Sequence, residues 1–255
     1  MLRSLKPFIL LAVLLLVFST SIFADSFIKQ VAHIKGYEMM GQRSPEKYDT
    51  TTIWMSKDKS YAELNNTNGV IYDMNTGIFT VVDHAKKEYS KFSMDILNKP
   101  ASGDNHDMMQ MKQMAQMMTA GMTVSVTPTD STKKVGKWDT KLYIVEVNMK
   151  MMPMKQRLWV TEELDIDYEM YRSISNAMMS LMPGFEKIFE EMKKIKGVAV
   201  EMDQTVSVMG TDIGSSTTVI EYEQKDAPAG TYDIPEGFKE VELDLGMNGM
   251  GGMGN

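Results

Sequence analysis

Met108, Met111, Met114, Met118 and Met122 recur at the spacing of one helical face, with Ala115 among them and Lys112, Gln113 and Gln116 opposite. A thioether side chain has three free torsions and a polarizable sulfur, so such a face can re-pack around varied acyl or peptide shapes. The plainer reading is that the stripe packs into a core, as amphipathic helices ordinarily do. The two agree if the packed face roofs a cavity. A second stripe, Phe185, Ile188, Phe189, Met192 and Ile195, follows the same period. Met108, Met111, Met114, Met118, Met122, Phe185, Phe189 and Met192 are therefore the expected lining of an apolar site.

Thioethers also bind soft cations such as Cu(I) and Ag(I). His106 precedes Met108 and Met109, Met149, Met151, Met152 and Met154 cluster in one short stretch, and Met247, Met250 and Met253 recur at every third residue of a Gly-rich tail. These residues form an alternative Cu(I) reading; otherwise no cofactor is expected. Catalysis is the weakest reading. The three histidines, His33, His84 and His106, stand apart in the sequence. There is no Gly-x-Ser-x-Gly elbow and no His-Glu-x-x-His pair. Asp165, Asp167 and Glu169 imitate a calcium loop, but Met170 occupies the position of its sharp-turn glycine. No catalytic residue is assigned, and the chain is read as a non-enzyme.

Residues 1–24 read as a secretory signal: Arg3 and Lys6, then an apolar run over 8–18, then small residues up to Ala24. The run is too short to span a bilayer comfortably, which takes about 20 residues. Cleavage is therefore expected, with a periplasmic or secreted product and no membrane span. The formal charge is −7, and losing Arg3 and Lys6 makes the remainder more acidic. Such a chain is a poor nucleic-acid binder, since affinity for phosphate rests on Lys and Arg. It has no cysteine, so burial alone must hold it together.

The elements needed to position these side chains are mostly strands. Residues 69–92 hold three β-prone runs, 70–73, 78–82 and 88–92, separated by turn-forming stretches at 75–77 and 83–87. This meander is expected at the centre of the fold. Further strands are expected over 27–39, 50–56, 60–65, 124–129, 141–149, 155–161, 198–209, 216–224 and 238–243. Pro128 marks an edge or an end. In 141–149, Tyr143, Val145, Val147 and Met149 alternate with Leu142, Ile144 and Glu146. Helices are expected over 107–122, 168–181 and 185–196. Strands and helices do not alternate as βαβ, which implies an antiparallel sheet with helices on one side.

The runs "TTIWMSKDKSYAEL", "GVIYDMNTGIFTVVDHAKKEYSKF", "VGKWDTKLYIVEV", "RLWVTEELDID" and "GTYDIPEGFKEVEL" resemble a periplasmic domain family of the LolA/LolB lipoprotein-carrier type. The resemblance implies an α+β fold, a curved antiparallel half-barrel with helices packed on its concave face, where the carriers hold acyl chains. The expectation is thus a signal at 1–24, a single domain at 25–245 and a flexible tail at 246–255. Its function would be to hold a lipid, another apolar molecule or a partner segment, as a monomer. A ligand-free structural protein of the envelope is the third reading.

Overall fold

In the computed structural model, which describes residues 24–64, 67–93, 119–150, 152–166, 171 and 186–242 (side chains of 186 and 189 excepted), β1 (Ser26–Ile34) lies inside a sheet. It pairs antiparallel with β4 (Lys47–Met55) on one side and β13 (Thr211–Gln224) on the other, so Ile28 stands between Ile53 and Tyr222. From β4 a meander runs outward through β5 (Lys59–Leu64), β6 (Asn68–Asp73), β7 (Ile78–Asp83) and β8 (Glu88–Ser93). β2 (Tyr37–Met39) and β3 (Gln42–Ser44) form a separate hairpin between β1 and β4.

Beyond residue 93 the strands resume at the opposite margin. β9 (Thr123–Val135), β10 (Trp138–Asn148), β11 (Met154–Thr161) and β12 (Val198–Val208) step inward to β13, again antiparallel. α1 (Glu186–Met192) lies between β11 and β12 in sequence. The last strand, β14 (Lys239–Glu240), pairs parallel with β8. The twelve-stranded order is β14-β8-β7-β6-β5-β4-β1-β13-β12-β11-β10-β9.

Local chemistry fixes the turns. Asp73 Oδ1 accepts the N–H groups of Asn75 and Thr76, and Asp83 Oδ1 accepts that of Lys86. These side chains stand in for main-chain acceptors, as Asx turns do. The two turns end on Gly77 and Lys87, both with positive φ. The β2–β3 and β12–β13 hairpins close on Met40-Gly41 and Met209-Gly210, with positive φ at both residues, as a type I′ turn requires.

Around β10 and β11 both faces of the sheet bury apolar side chains. On β10, Tyr143, Val145 and Val147 join the cluster that includes Ile188 of α1. The alternate residues Trp138 and Leu142 join a second cluster with Trp159, Val200, Val219, Ile28 and Met55. Leu164 belongs to that second cluster, with Ile166 and Tyr171 packed against it. This places the chain after β11 over the sheet, and Tyr222 Oη of β13 donates to Asp165 O at 2.7 Å.

The residues after β13 act as a strap. Lys225 Nζ sits 4.1 Å from the Phe27 ring centroid and 5.5 Å from that of Trp54. Phe238 meets His84 edge-on at 5.8 Å, and Tyr89 Oη donates to Glu240 at 3.0 Å. The strap thus passes from β13, near the middle of the sheet, to the far side of β8. Only such a crossover makes β14 parallel.

Four expectations are corrected. The α+β half-barrel with packed helices does not hold: the described residues form fourteen strands and one short helix, a nearly all-β protein. The windows 107–122 and 168–181 lie almost wholly outside the described residues. In the described part of 185–196 the helix ends at Met192, where Lys194 N→Glu191 O and Ile195 N→Met192 O bonds tighten the last turn. The 69–92 meander lies toward one margin, and β1 takes the central place. The final strand shrinks from 238–243 to Lys239–Glu240.

Candidate functional site

Met122, Met149, Met154 and Met192 come together. Met122 is buried with Val126, Tyr143, Val145, Val147, Leu158, Val160, Ile188 and Ile195, while Met149, Met154 and Met192 pack against this layer half-buried. Two groups of methionines, read from the sequence as ligand lining and as metal ligands, therefore share one cluster. β10 and β11 deliver Met149 and Met154 because Val147 pairs with Met154 across the hairpin. Met202 joins them, paired with Leu158 across β11–β12. It escaped the sequence reading because its run, Glu201-Met202-Asp203-Gln204, is otherwise polar.

Met152 is described but does not join this cluster. Met108, Met111, Met114, Met118, Phe185, His106, Met151, Met247, Met250, Met253 and the Phe189 side chain lie outside the described residues. Among the described residues no group of three or more His, Asp or Glu converges as a metal-ligand set.

The histidines stand apart. His33 stacks on Tyr48 at 4.3 Å and donates to Glu46. Tyr48 donates to the same carboxylate at 3.0 Å, and these two bonds, Tyr48 first, hold Glu46 below the usual carboxylate range. His84 lies 3.3 Å from Tyr61 Oη. Neither histidine faces a hydroxyl nucleophile with a supporting carboxylate behind it, the arrangement a hydrolytic triad needs.

A recess of about 620 Å³ opens where β9, β10 and the end of β11 meet. Thr132, Lys133, Lys134, Asp139, Glu162 and Glu163 are among its walls. Three of its charges are paired: Lys134 with Asp139 at 3.4 Å, and Lys133 with Glu201 at 2.5 Å while lying 4.3 Å from the Trp159 ring centroid. The walls include no methionine. The sequence signal for this recess was weak, a Lys-Lys pair and a Glu-Glu pair at two strand ends.

A third feature is a row of aromatic rings on the meander. Tyr72 stacks on Phe79 at 4.4 Å and Phe79 on Phe92 at 5.2 Å, from three successive strands. Stacked pairs at this spacing add about 0.5–1.5 kcal/mol beyond their burial. The partly buried hydrophobic residues Val70 and Phe92 pack against the buried Tyr72–Phe79 pair.

No protein family and no curated protein sequence matches the chain. Among solved structures it is similar to PNGF-II in a C2 space group, at 10% identity and a TM-score of 0.37. The match covers 85% of this chain and 31% of that one. So distant a likeness carries no argument about function. What the architecture defines is a nearly all-β protein built on one large, mainly antiparallel sheet.

Proposed function

We propose that the protein is an exported, non-enzymatic binding protein that holds an apolar ligand, a lipid or acyl chain, or an apolar partner segment. The observation that carries the reading is the convergence of Met122, Met149, Met154, Met192 and Met202 in one layer with Ile188 of α1. Methionine adapts its shape at little cost, so this layer suits a variable apolar guest better than valine or isoleucine would. α1 takes no part in the strand pairing, so a guest packed against it need not disturb the sheet ladder. Purification from the native envelope followed by solvent extraction and mass spectrometry tests the proposal. A stoichiometric lipid or apolar molecule is expected, and Met192→Asp is expected to abolish its recovery while the sheet remains folded. Recovery of no apolar molecule at any stoichiometry would sink the reading.

The same five thioethers favour a second reading, a soft-cation site for Cu(I) or Ag(I). Anaerobic Cu(I) titration of the full chain against Met149→Leu/Met154→Leu separates the two. Loss of Cu(I) binding in the double variant supports the metal. Lipid recovery with no Cu(I) binding by either protein supports the apolar ligand. Among the described residues no helix is long and apolar enough to cross a membrane.

A further inference from the structure

Three non-glycine residues of the described chain have positive φ, and two of them are methionines at hairpin tips. Met40 (φ 53) joins β2 to β3, and Met209 (φ 50) joins β12 to β13. The first position of a type I′ turn ordinarily takes Asn, Asp or Gly, so turn chemistry gives no reason for methionine there. The two hairpins lie at one end of the molecule. Thr211 Oγ1 donates to Glu38 O at 3.4 Å, two residues from each tip, and Lys35 N donates to Gly214 O at 2.9 Å. Among the described residues the tips are also the most exposed methionines: Met40 is 84% exposed and Met209 73%, against 37% for Met74, 5% for Met55 and 2% for Met122.

We propose that Met40 and Met209 form a paired oxidation site, at which hydroperoxides convert the thioethers to sulfoxides ahead of the buried methionines. The sulfur lone pair attacks the distal oxygen of the hydroperoxide. An S–O bond forms, the O–O bond breaks, and water or an alcohol leaves with the proton. Sulfur loses two electrons and the peroxide gains two. Reactivity along this ladder follows access to the sulfur. A sulfoxide is polar and would disrupt a packed layer such as the one around Met122, but at a turn tip it points into water and breaks no ladder bond. The step is reversible by methionine sulfoxide reductases.

Limited treatment of the full chain with hydrogen peroxide, followed by peptide mass mapping, tests this. Met40 and Met209 are expected to gain oxygen at least about tenfold faster than Met55 and Met122. Oxygen addition at Met40 and Met209 should leave the circular dichroism spectrum and thermal midpoint unchanged, and methionine sulfoxide reductase should remove both. In M40L/M209L, the rates at Met55 and Met122 should stay as in the parent. Equal rates at all four sites, or a fall in thermal midpoint accompanying oxidation of Met40 and Met209 alone, would overturn the proposal.

Discussion

Glu191 Oε2 on α1 accepts the main-chain N–H of Val126 on β9 at 3.2 Å. β9 ends the sheet, so a carboxylate takes the place of a further strand at this position. Edge strands left open are templates for pairing with another chain. Lys194 Nζ reaches the same carboxylate oxygen at 2.5 Å. Lys194 first, and the Val126 N–H after it, hold the Glu191 carboxyl below its ordinary value of 4.5. A carboxyl depressed in the folded state stabilises it above the unfolded pKa, and that contribution fades as pH falls through the folded value. Glu191→Gln is therefore expected to lower the thermal midpoint at neutral pH and to converge with the parent progressively as pH falls below 4.5. Thermal scans across pH 3–7 check this. Light scattering should show more association in the variant as its edge is released.

Gly197 has φ 108, and a Cβ built there would lie 2.2 Å from Thr161 O. Neither the angle nor the space tolerates a side chain, because the residue before β12 presses against the end of β11. Gly197→Ala is expected to cost more than about 3 kcal/mol. Gly41→Ala, also at positive φ but with open space around it, should cost only about 1 kcal/mol. Urea unfolding of the two variants measures the difference. Equal losses would show that the clash at Gly197 is relieved by backbone movement.

Much of this architecture could be read from the residues. The alternation in 141–149 separates Tyr143, Val145 and Val147 from Leu142, and each set enters a different core cluster. Pro128 marks an edge strand, as its missing N–H suggests. The place of β1 could not be read, because its partner β13 is far away in sequence and a local pattern does not encode a distant register. The same holds for the strap, whose two-residue parallel strand is set by the path from β13 rather than by propensity. The window 185–196 overshot its end for a different reason: a stripe of Phe, Ile and Met satisfies a helical period, but a short periodic window leaves the helix end undetermined. At the candidate site, Met122, Met149, Met154 and Met192 were within reach of pattern reading, whereas Met202 required the pairing of β12 with Leu158.

Lys87 ends the β7–β8 turn at φ 56, the place that Gly77 holds in the turn before it. A left-handed conformation costs an L-residue about 1–2 kcal/mol, and glycine removes that cost at the expense of a looser unfolded chain. Lys87 O accepts Lys239 N from the strap at 3.1 Å, a bond glycine retains. Lys87→Gly is therefore expected to stabilise the protein by about 0.5–1 kcal/mol. Chemical denaturation reads the change, and destabilisation would mean that the lysine side chain contributes more than its backbone strain removes.

Tyr232 lies in the strap with its hydroxyl buried and without a hydrogen-bond partner. Burial, and after it the charge of nearby Asp25, pushes the phenol well above its ordinary value of 10.0. A buried hydroxyl that makes no bond incurs desolvation without return, so Tyr232→Phe should be neutral or stabilising by up to about 1 kcal/mol. The alkaline limb gives a second, independent reading. The folded state keeps this proton where the unfolded chain releases it, so stability falls as pH rises past about 10. Phenylalanine has no proton to release, and the variant should lose less stability between pH 9 and 11 than the parent. Thermal midpoints across that range decide the matter. A variant that is less stable at neutral pH, with an unchanged alkaline slope, would show that the hydroxyl is satisfied in solution and anchors the strap through a bond to Asp25 or Ser56, whose side chains act on the phenol.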